Sequence, residues 1–424
     1  MTTNSFWAIA DQGIASAGNF ATTLLLARAL APAEFGTFVL LNSACLVVLG
    51  FQGNLVSTPL VVLGASEPLS RTKSHFTVAL ILTALLAPIS ALVVLPAAAS
   101  LHRVQTGMLA LIFVLAWQLQ DTSRRALVSG FRYRDAIWGD AVSYLGQALL
   151  VGFLYLNKQT SLDRAYTLMA VTSLVAVVLQ SLQVGLARTT WSELRDSGIR
   201  FWGLGKWLAV VSLLSVAEGP ISPWLLNWFH GRESAARFQA VINVWGLANP
   251  ILNSIPAIVI PATAAFLLTR EKRTGKALIK LGVKYSLEFE LILAPMFLII
   301  ALWPHVALTF FYGRTSIYAT QTLALQIGVI MTIVYVPMVI FGAVLTGAGR
   351  TKTNATMHGA GAAASLVSSP PLIFAWGAVG AMLVEVVSRG VRLVWAIRSL
   401  RSTSVAFYNG QKEVQDCVSC TKLL

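Results

Sequence analysis

Three candidate residues are carboxylates inside long apolar segments, where a charge is costly and its position therefore predicts chemistry. Glu218 lies near the middle of one such segment, directly before a Gly-Pro pair, and Asp11 lies early in the first segment. Glu385 lies in the last one. An ionisable group at membrane depth costs at least about 2.5–3.5 kcal/mol, so such groups usually face a cavity or pair with one another. We therefore take these carboxylates as candidates for ion coupling or substrate translocation.

Each of the three carboxylates has a functional and a structural explanation. Glu218 could bind a proton or a cation whose movement drives transport, or it could be hydrogen-bonded to a neighbouring helix. Asp11 is nearer the expected cytoplasmic end of its segment, where a solvated helix end is the simpler explanation. Glu385 precedes Arg389 by four residues, and an ion pair at that spacing within one helix is more often structural.

Side-chain amides form a second candidate group, because they can hydrogen-bond the hydroxyl groups of a sugar. The same amides can also simply join two helices, at about 0.6 kcal/mol for each bond. In the first, second and eighth apolar segments they are Asn19, Gln52, Asn54, Asn243, Asn249 and Asn253. Of these, we include Asn54, Asn243 and Asn253 in the candidate site.

Arg28 closes the first apolar segment on the expected outer side. A guanidinium at that place could bind a diphosphate through two parallel hydrogen bonds. The alternative is an interfacial arginine whose long side chain reaches the lipid headgroups. The sequence leaves both explanations open, and Arg28 stays a candidate substrate contact.

Prolines in the seventh and eighth segments predict bends. A proline inside a helix removes one backbone hydrogen bond and clashes with the preceding turn, so it kinks or breaks the helix. Pro220 and Pro223 stand in the seventh segment, and Pro256 and Pro261 stand in the eighth. The eighth segment is also long, since about 33 residues at 1.5 Å per residue exceed a bilayer core of about 30 Å. We predict hinges at these prolines, although bent helices also suit static packing.

No arrangement typical of a catalytic or metal centre occurs in the sequence. The five histidines lie at predicted membrane edges, without i,i+4 or metal-ligand spacing. The string around Gly203 and Lys206 lacks the spacing and the hydroxyl of a P-loop. Cys417 and Cys420 form a single C-x-x-C pair in a polar tail, with no second pair to complete a zinc site. We expect no enzyme activity, no cofactor and no metal.

The elements that must position these residues are membrane helices. Hydrophobic residues make up 56% of the 424 residues and charged residues 11%, whereas soluble domains carry about 25% charged residues. A helical crossing needs about 20 apolar residues, and the unbroken apolar runs here are too long for barrel strands. They cover residues 6–30, 36–64, 76–99, 106–122, 137–156, 165–187, 204–229, 236–268, 286–311, 318–346, 358–375 and 377–398. We predict an all-α polytopic membrane protein with about twelve transmembrane helices.

The distribution of Lys and Arg predicts the orientation of these helices, because cytoplasmic loops of membrane proteins are enriched in both. A cytoplasmic N-terminus with twelve crossings places 24 of the 31 Lys and Arg residues on the cytoplasmic side and 7 on the outer side. One crossing more or fewer would invert everything downstream, so the bias supports this count and two cytoplasmic termini. It also accounts for the net charge of +14. We therefore expect no nucleic-acid partner.

The chain divides into two halves of six segments each. We predict an N-terminal six-helix bundle over residues 1–187, a cytoplasmic linker over 188–203, a C-terminal six-helix bundle over 204–400 and a cytoplasmic polar tail over 401–424. An Asn followed by a Pro recurs near the end of the second and eighth segments, as in parallel repeats. No loop is large enough to fold separately, which argues against membrane glycosyltransferases, polymerases and ligases.

Several loop sequences resemble those of one transporter family. Residues 24–36 read LLLARALAPAEFG, residues 124–134 read RRALVSGFRYR and residues 345–352 read LTGAGRTK. Together with FYG at 311–313 and VGA at 379–381, they resemble, in order and spacing, the bacterial polysaccharide (O-antigen type) flippases of the multidrug/oligosaccharidyl-lipid/polysaccharide exporter superfamily. The stretch after the seventh segment lacks the Gly-x-Tyr common in that family, which indicates a divergent subfamily.

This resemblance implies a multi-pass protein of the bacterial inner membrane that carries an undecaprenyl-diphosphate-linked oligosaccharide from the cytoplasmic to the periplasmic leaflet. Two bundles would rock around a central cavity. Besides the lipid bilayer, the implied partners include polysaccharide polymerase and assembly proteins. Two other hypotheses stay open. One is a drug or cation antiporter of the same superfamily, which needs a carboxylate-rich cavity, and the other is a membrane-embedded enzyme of polysaccharide synthesis.

Overall fold

The computed structural model describes residues 3–66, 69–269 and 275–401, and this part of the chain is helical with short connections and contains no strand. The spanning helices are α1 Thr3–Ala29, α2 Pro32–Gly64, α3 Arg71–Ser100, α4 Val104–Ser129, α5 Tyr133–Leu156, α6 Leu162–Val184, α7 Trp191–His230, α8 Arg232–Leu267, α9 Gly275–Leu302 and α10 Thr322–Gly347. The stretch Thr351–Arg401 contains α11 and α12, which meet at Gly377. A short helix, Pro304–Tyr312, precedes α10. The predicted tail beyond Arg401, with Cys417 and Cys420, lies outside the described residues.

The twelve predicted crossings correspond one to one with α1 to α12. Length and composition alone qualify nine helical stretches of the described chain as membrane spans. The last of them contains two crossings, because the backbone of Gly377 is not helical, with φ 53° and ψ −126°. Ser388 donates to the carbonyl of Gly361 at 3.0 Å, so α12 folds back along α11. The two remaining crossings, α1 and α4, are 27 and 26 residues long but carry more polar side chains.

Two helices begin well before their apolar parts. The predicted seventh segment starts at residue 204, whereas α7 starts at Trp191 and takes in most of the predicted linker. A capping box starts this helix, in which the Thr190 hydroxyl accepts from the backbone N–H of Glu193 and the Glu193 carboxylate accepts from that of Thr190. Likewise, the predicted ninth segment starts at residue 286, whereas α9 starts at Gly275. Hydropathy marks only the part of a helix in hydrocarbon, and a helix end with basic residues continues into the headgroup region.

The first six helices pack mainly on one another, and so do the last six. The halves meet where α2 lies against α8 and the first part of α7, and where α1 lies against α8. One core of buried apolar residues runs through both halves and includes Leu26, Phe35 and Leu226. A smaller cluster contains Phe76 of α3 and Phe201 of α7. This second cluster holds α7 to the N-terminal half at the end that we predict to be cytoplasmic.

At the opposite end, α2 and α8 cross at close range. Gly36 of α2 faces the backbone of Arg232 at the start of α8, and a Cβ added at Gly36 would overlap the Arg232 carbonyl. Arg232 also donates to the carbonyl of Leu101 at 2.9 Å. Phe35 lies edge-on to Tyr318, with ring centroids 6.0 Å apart. Small residues allow such an approach of two membrane helices, so Gly36 fixes how the halves meet on the side predicted to be periplasmic.

Replacing Gly36 by alanine should destabilise the protein. This change in stability is opposite in sign to the usual effect of the same replacement within a helix. Alanine normally stabilises a helix over glycine by about 0.5–1 kcal/mol. Here the methyl group would push α2 away from Arg232, and overpacking typically costs about 1–3 kcal/mol. The midpoint of thermal unfolding of the full-length protein in detergent measures the effect. Gly13→Ala is the control, because nothing lies within 4 Å of a Cβ added there. A midpoint for Gly36→Ala at or above that of the control would contradict the close crossing.

Candidate functional site

Glu218 of α7, Arg392 of α12 and His358 of α11 form an ion cluster in the C-terminal half. Glu218 Oε2 accepts a hydrogen bond from Arg392 at 2.9 Å and lies 3.6 Å from His358 Nδ1. Arg392 Nη2 is 3.0 Å from His358 Nε2. Because a guanidinium only donates, Nε2 accepts, and a neutral imidazole then carries its proton on Nδ1, toward Glu218. Gly361 makes room for the cluster, since a Cβ there would lie 2.7 Å from Glu218 Oε1.

A break in α7 at residues 217–220 positions the Glu218 carboxylate. Pro220 has no backbone N–H and cannot continue the hydrogen-bond ladder, and the second arm of α7 begins directly after it. Pro223 lies in the first turn of that arm. The carbonyl of Ala217, at the break, accepts a hydrogen bond from the Ser365 hydroxyl of α11. The break thus coincides with the first pair of predicted hinge prolines, and its movement stays a prediction.

Glu385 and Arg389 form the ion pair within α12 that their spacing predicts. Arg389 also lies over the ring of Tyr335 in α10, with its guanidinium carbon 4.8 Å from the centroid. Its Nη1 contacts the sulfur of Met331 at 2.9 Å. Glu385 is 5% exposed. This pair therefore ties α12 to α10 beside the Glu218 cluster.

A second ion cluster lies in the N-terminal half, where Arg124 of α4 binds Asp11 of α1 and Asp140 of α5. Both N–O distances are 2.5 Å, and Asp140 also accepts from Gln180 of α6 at 3.1 Å. Asp11 is 1% exposed, so it is not at a solvated helix end, because the neighbouring helices cover it. A π-helical turn, Ala141–Leu145, follows Asp140 directly, and such turns are frequent at functional sites.

Two of the three candidate amides join elements of the structure. Asn54 of α2 donates to the hydroxyl of Ser212 in α7 at 2.5 Å, which links the two halves. Asn243 of α8 lies 3.4 Å from the hydroxyl of Tyr312 at the end of the short helix. The side chain of Asn253 is exposed on α8. Of the three, Asn253 is therefore the one that can contact a substrate without breaking a bond between helices.

Arg28 binds protein backbone in the structure. Its guanidinium donates to the carbonyl of Phe310 at 2.9 Å and to that of Phe311, near the end of the short helix. A helix C-terminus leaves such carbonyls unsatisfied, and a cation there is favourable. Phe20 of α1 packs edge-on against Phe311, with centroids 5.3 Å apart. Arg28 thus ties α1 to the C-terminal half on the side predicted to be periplasmic.

The prolines of α8 lie within regular helix. The part of α8 that begins at Asn249 continues through Pro256 and Pro261. Helix α8 departs from α-helical geometry in a 3-10 turn at Gly246–Ala248, which precedes both prolines. A membrane helix can continue through proline, because neighbouring helices and local adjustments satisfy the freed backbone groups. The predicted hinge positions in α8 therefore differ from the place where its helical geometry changes.

Several charged residues within the spanning helices are not among the candidates that the sequence predicted. Sequence patterns place Arg124 and Arg392 with the cytoplasmic cations and His358 at a membrane edge, because each stands near one end of a predicted segment. Asp140 and Glu290 did carry a signal, since each is a carboxylate within an apolar segment. Glu290 lies half-buried on α9. The partners of an ion pair are remote in sequence, so no spacing rule connects them.

The fold of this chain is shared with transporters of the MOP superfamily. It aligns with the inward-facing conformation of a multidrug resistance MATE family transporter of that superfamily at a TM-score of 0.72 and 15% identity, over 93% of this chain and 96% of the other. It aligns with the lipid II flippase MurJ in an inward closed conformation at a TM-score of 0.71 and 11% identity, over 96% and 89%.

An outward-facing conformation of a MATE family transporter gives a lower TM-score, 0.65, at 15% identity over 94% and 95% of the two chains. No family model and no curated protein matches the sequence. At these identities the likeness establishes the fold. That fold is an all-α arrangement of long apolar helices, as the sequence predicted.

A double-mutant cycle on Glu218 and Arg392 should reveal strong coupling. Arg392→Met leaves a buried carboxylate without its guanidinium, and removing one partner of a buried pair costs about 3–5 kcal/mol. Combining it with Glu218→Gln should reverse most of the decrease in the midpoint of thermal unfolding, because no unpaired charge is left. The midpoints of the two single variants, the double variant and the unmodified protein complete the cycle.

The control for that cycle is the exposed pair of Arg237 and Glu233. Its N–O distance is 4.0 Å, and the side chains are 40% and 54% exposed. Exposed pairs contribute about 0–1 kcal/mol, so Arg237→Met should leave the midpoint nearly unchanged. Strictly additive effects of the Glu218 and Arg392 substitutions would contradict a buried pair.

Proposed function

We propose that this protein is a flippase that moves a lipid-diphosphate-linked oligosaccharide from the cytoplasmic to the periplasmic leaflet of the bacterial inner membrane. Undecaprenyl diphosphate would be the lipid carrier. Two independent findings support the proposal. The loop sequences resemble those of polysaccharide flippases, and the fold is shared with a protein described as a lipid II flippase. The product would enter the synthesis of a surface polysaccharide.

The observation that carries the proposal is that the three buried carboxylates of the described spanning helices, together with Glu218, whose side chain is 13% exposed, all bind an arginine. The pairs are Asp11 and Asp140 with Arg124, Glu218 with Arg392, and Glu385 with Arg389. A transporter of organic cations needs a carboxylate that is free to attract its substrate. A carrier of an anionic diphosphate does not, and the pairing of these four carboxylates with arginines limits their repulsion of the diphosphate.

Alternating access would then use the contacts between the halves. Arg28 and Arg232 hold the halves together on the side predicted to be periplasmic, which is the arrangement expected when the cavity opens inward. Opening outward would break these bonds, with residues 1–187 and 204–400 moving as two bodies. A proton or cation on Glu218 would compete with Arg392 for the carboxylate. Binding there would release α7 from α12 at the break, which couples the ion to the movement.

A drug or cation antiporter of the same superfamily is the second candidate, and Glu290 is the residue that favours it. This carboxylate lies half-buried on α9, and no ion pair of the described chain includes it. The fold is shared with multidrug MATE transporters as closely as with MurJ. An antiporter would bind its cation at Glu290 and exchange it for a proton or ion.

A leaflet-resolved assay in cells separates the two functions. The gene is deleted, the lipid-linked sugars are radiolabelled, and the fraction open to a periplasmic glycosidase is measured in spheroplasts. Deletion should trap the glycan on the inside, and the unmodified gene should restore its exposure. The Glu218→Gln gene should restore at least about 10-fold less exposure of the glycan than the unmodified gene. A 10-fold loss corresponds to about 1.4 kcal/mol of lost coupling between the ion and the movement.

The control variant in this assay is Glu233→Gln, which removes a carboxylate from an exposed pair and should restore exposure fully. Normal exposure of the glycan in the deletion strain, together with an altered resistance to cationic dyes, would overturn the flippase and establish the antiporter. In that case Glu290→Gln should abolish the resistance to cationic dyes, whereas Glu218→Gln by itself should not.

A further inference from the structure

A cavity of about 160 Å³ lies inside the N-terminal half, between α1, α2, α4, α5 and α6. Its lining contains no charged side chain. Amides, hydroxyls and aromatic rings form it instead, among them Asn19, Thr22, Asn42, Trp117, Tyr144 and Gln147. Ligand sites are typically concave and mostly apolar, whereas most residues of this lining carry a polar group, which suits a ligand rich in hydroxyls.

Thr22 supplies the observation that points to a ligand. Its side chain is 3% exposed, and its hydroxyl has no hydrogen-bond partner within the described chain. The neighbouring hydroxyl of Thr23 donates to the carbonyl of Asn19 at 2.8 Å, which is the usual arrangement in a helix. A buried hydroxyl without a partner costs about 1–3 kcal/mol. Thr22 lines the cavity, so a rotation of its side chain that turns the hydroxyl inward would let a hydroxyl-bearing ligand remove that cost.

One wall of the cavity is a flat aromatic surface held in place. Trp117 stacks on Phe113, with ring centroids 5.3 Å apart and planes inclined by 22°. The indole N–H donates to the hydroxyl of Tyr144 at 3.2 Å, which fixes the ring. The tyrosine hydroxyl keeps its own proton to donate. A sugar ring presents C–H groups on its faces and hydroxyls at its edges, and it matches an aromatic wall flanked by amides and hydroxyls.

The cavity is reachable from outside the N-terminal half. Asn19 of α1 and Leu46 of α2 line it and are exposed, Leu46 by 43%. Helices α1 and α2 pack little against each other, and both contact α8 of the other half. The mouth therefore lies at the gap between α1 and α2, on the helices that form the boundary between the halves.

We propose that this cavity binds one neutral sugar ring of the lipid-linked substrate, an inference that rests on the flippase function proposed above. The diphosphate would stay outside, because the lining offers it no cation. An organic cation would find no carboxylate there. Asp140, which directly precedes the π-helical turn that carries Tyr144, is already bound to Arg124. The cavity would thus recognise the first sugar and hold the glycan to the N-terminal half during the movement.

The test measures binding of two radiolabelled lipids to the purified full-length protein. The first is undecaprenyl diphosphate that bears a single N-acetylglucosamine, and the second is undecaprenyl diphosphate without sugar. Thr22→Val and Asn42→Leu remove hydrogen-bonding groups at nearly constant volume. Each should weaken binding of the sugar-bearing lipid about 5- to 10-fold, since one hydrogen bond contributes about 1 kcal/mol or slightly more. Binding of the sugar-free lipid should stay within about twofold, because it does not enter the cavity.

Thr172→Val is the matched control. Thr172 is a buried threonine of the same half, it does not line the cavity, and its hydroxyl donates to the carbonyl of Leu168 at 3.0 Å. It should leave both affinities unchanged, and all variants should elute as the unmodified protein does in size-exclusion chromatography. Equal affinities of the Thr22→Val protein and the unmodified protein for the sugar-bearing lipid would overturn the cavity as a sugar site. Equal losses for both lipids would do the same. If the unmodified protein bound neither lipid, the flippase function itself would fall, and the sugar site with it.

Discussion

The cost of an unsatisfied charge or backbone group in hydrocarbon is the constraint on which the rest of this structure depends. Arg124 holds α1, α4 and α5 together because two carboxylates converge on it. Glu218 does the same for α7, α11 and α12 through Arg392 and His358. In a medium without water these pairs have no alternative partners. They therefore fix which helices are neighbours more firmly than apolar packing does, since lipid tails are as apolar as the helix surfaces.

The same constraint decides where a helix can be irregular. The break in α7 exposes the carbonyl of Ala217, and Ser365 of α11 binds it. The end of the short helix leaves the carbonyls of Phe310 and Phe311, and Arg28 of α1 binds both. In both places a second helix supplies the donor for the freed carbonyl. Such places join two elements through bonds that can exchange partners, which makes them suitable for a change of conformation.

The two ion clusters differ in composition and in surroundings. The N-terminal cluster has two carboxylates for one arginine and lies beside the cavity lined by Trp117 and Tyr144. The C-terminal cluster adds a histidine and lies at the break in α7. We infer a division of work, in which the N-terminal half holds the sugar and the C-terminal half responds to the coupling ion. The contacts of Arg28 and Arg232 between the halves would then transmit one event to the other.

The sequence by itself determined the class of protein and the number and order of its crossings. The twelve apolar runs and the unequal distribution of Lys and Arg between the loops are local properties of the sequence. Local properties can be identified without knowledge of the fold. It also identified Glu218, Asp11 and Glu385, because a carboxylate in an apolar run is unusual wherever it occurs. The pair within one helix, Glu385 with Arg389, was predictable since both residues share a helical face.

Only the tertiary structure decided what binds these groups. Arg392 stands 174 residues after Glu218, and Arg124 stands 113 residues after Asp11. No periodicity connects such positions, because the contact depends on how whole helices pack. The early start of α7 at Trp191 and the 3-10 turn in α8 were likewise hidden from hydropathy. Hydropathy reports the solvent around a segment, whereas partners and cavities depend on the shape that the packed helices enclose.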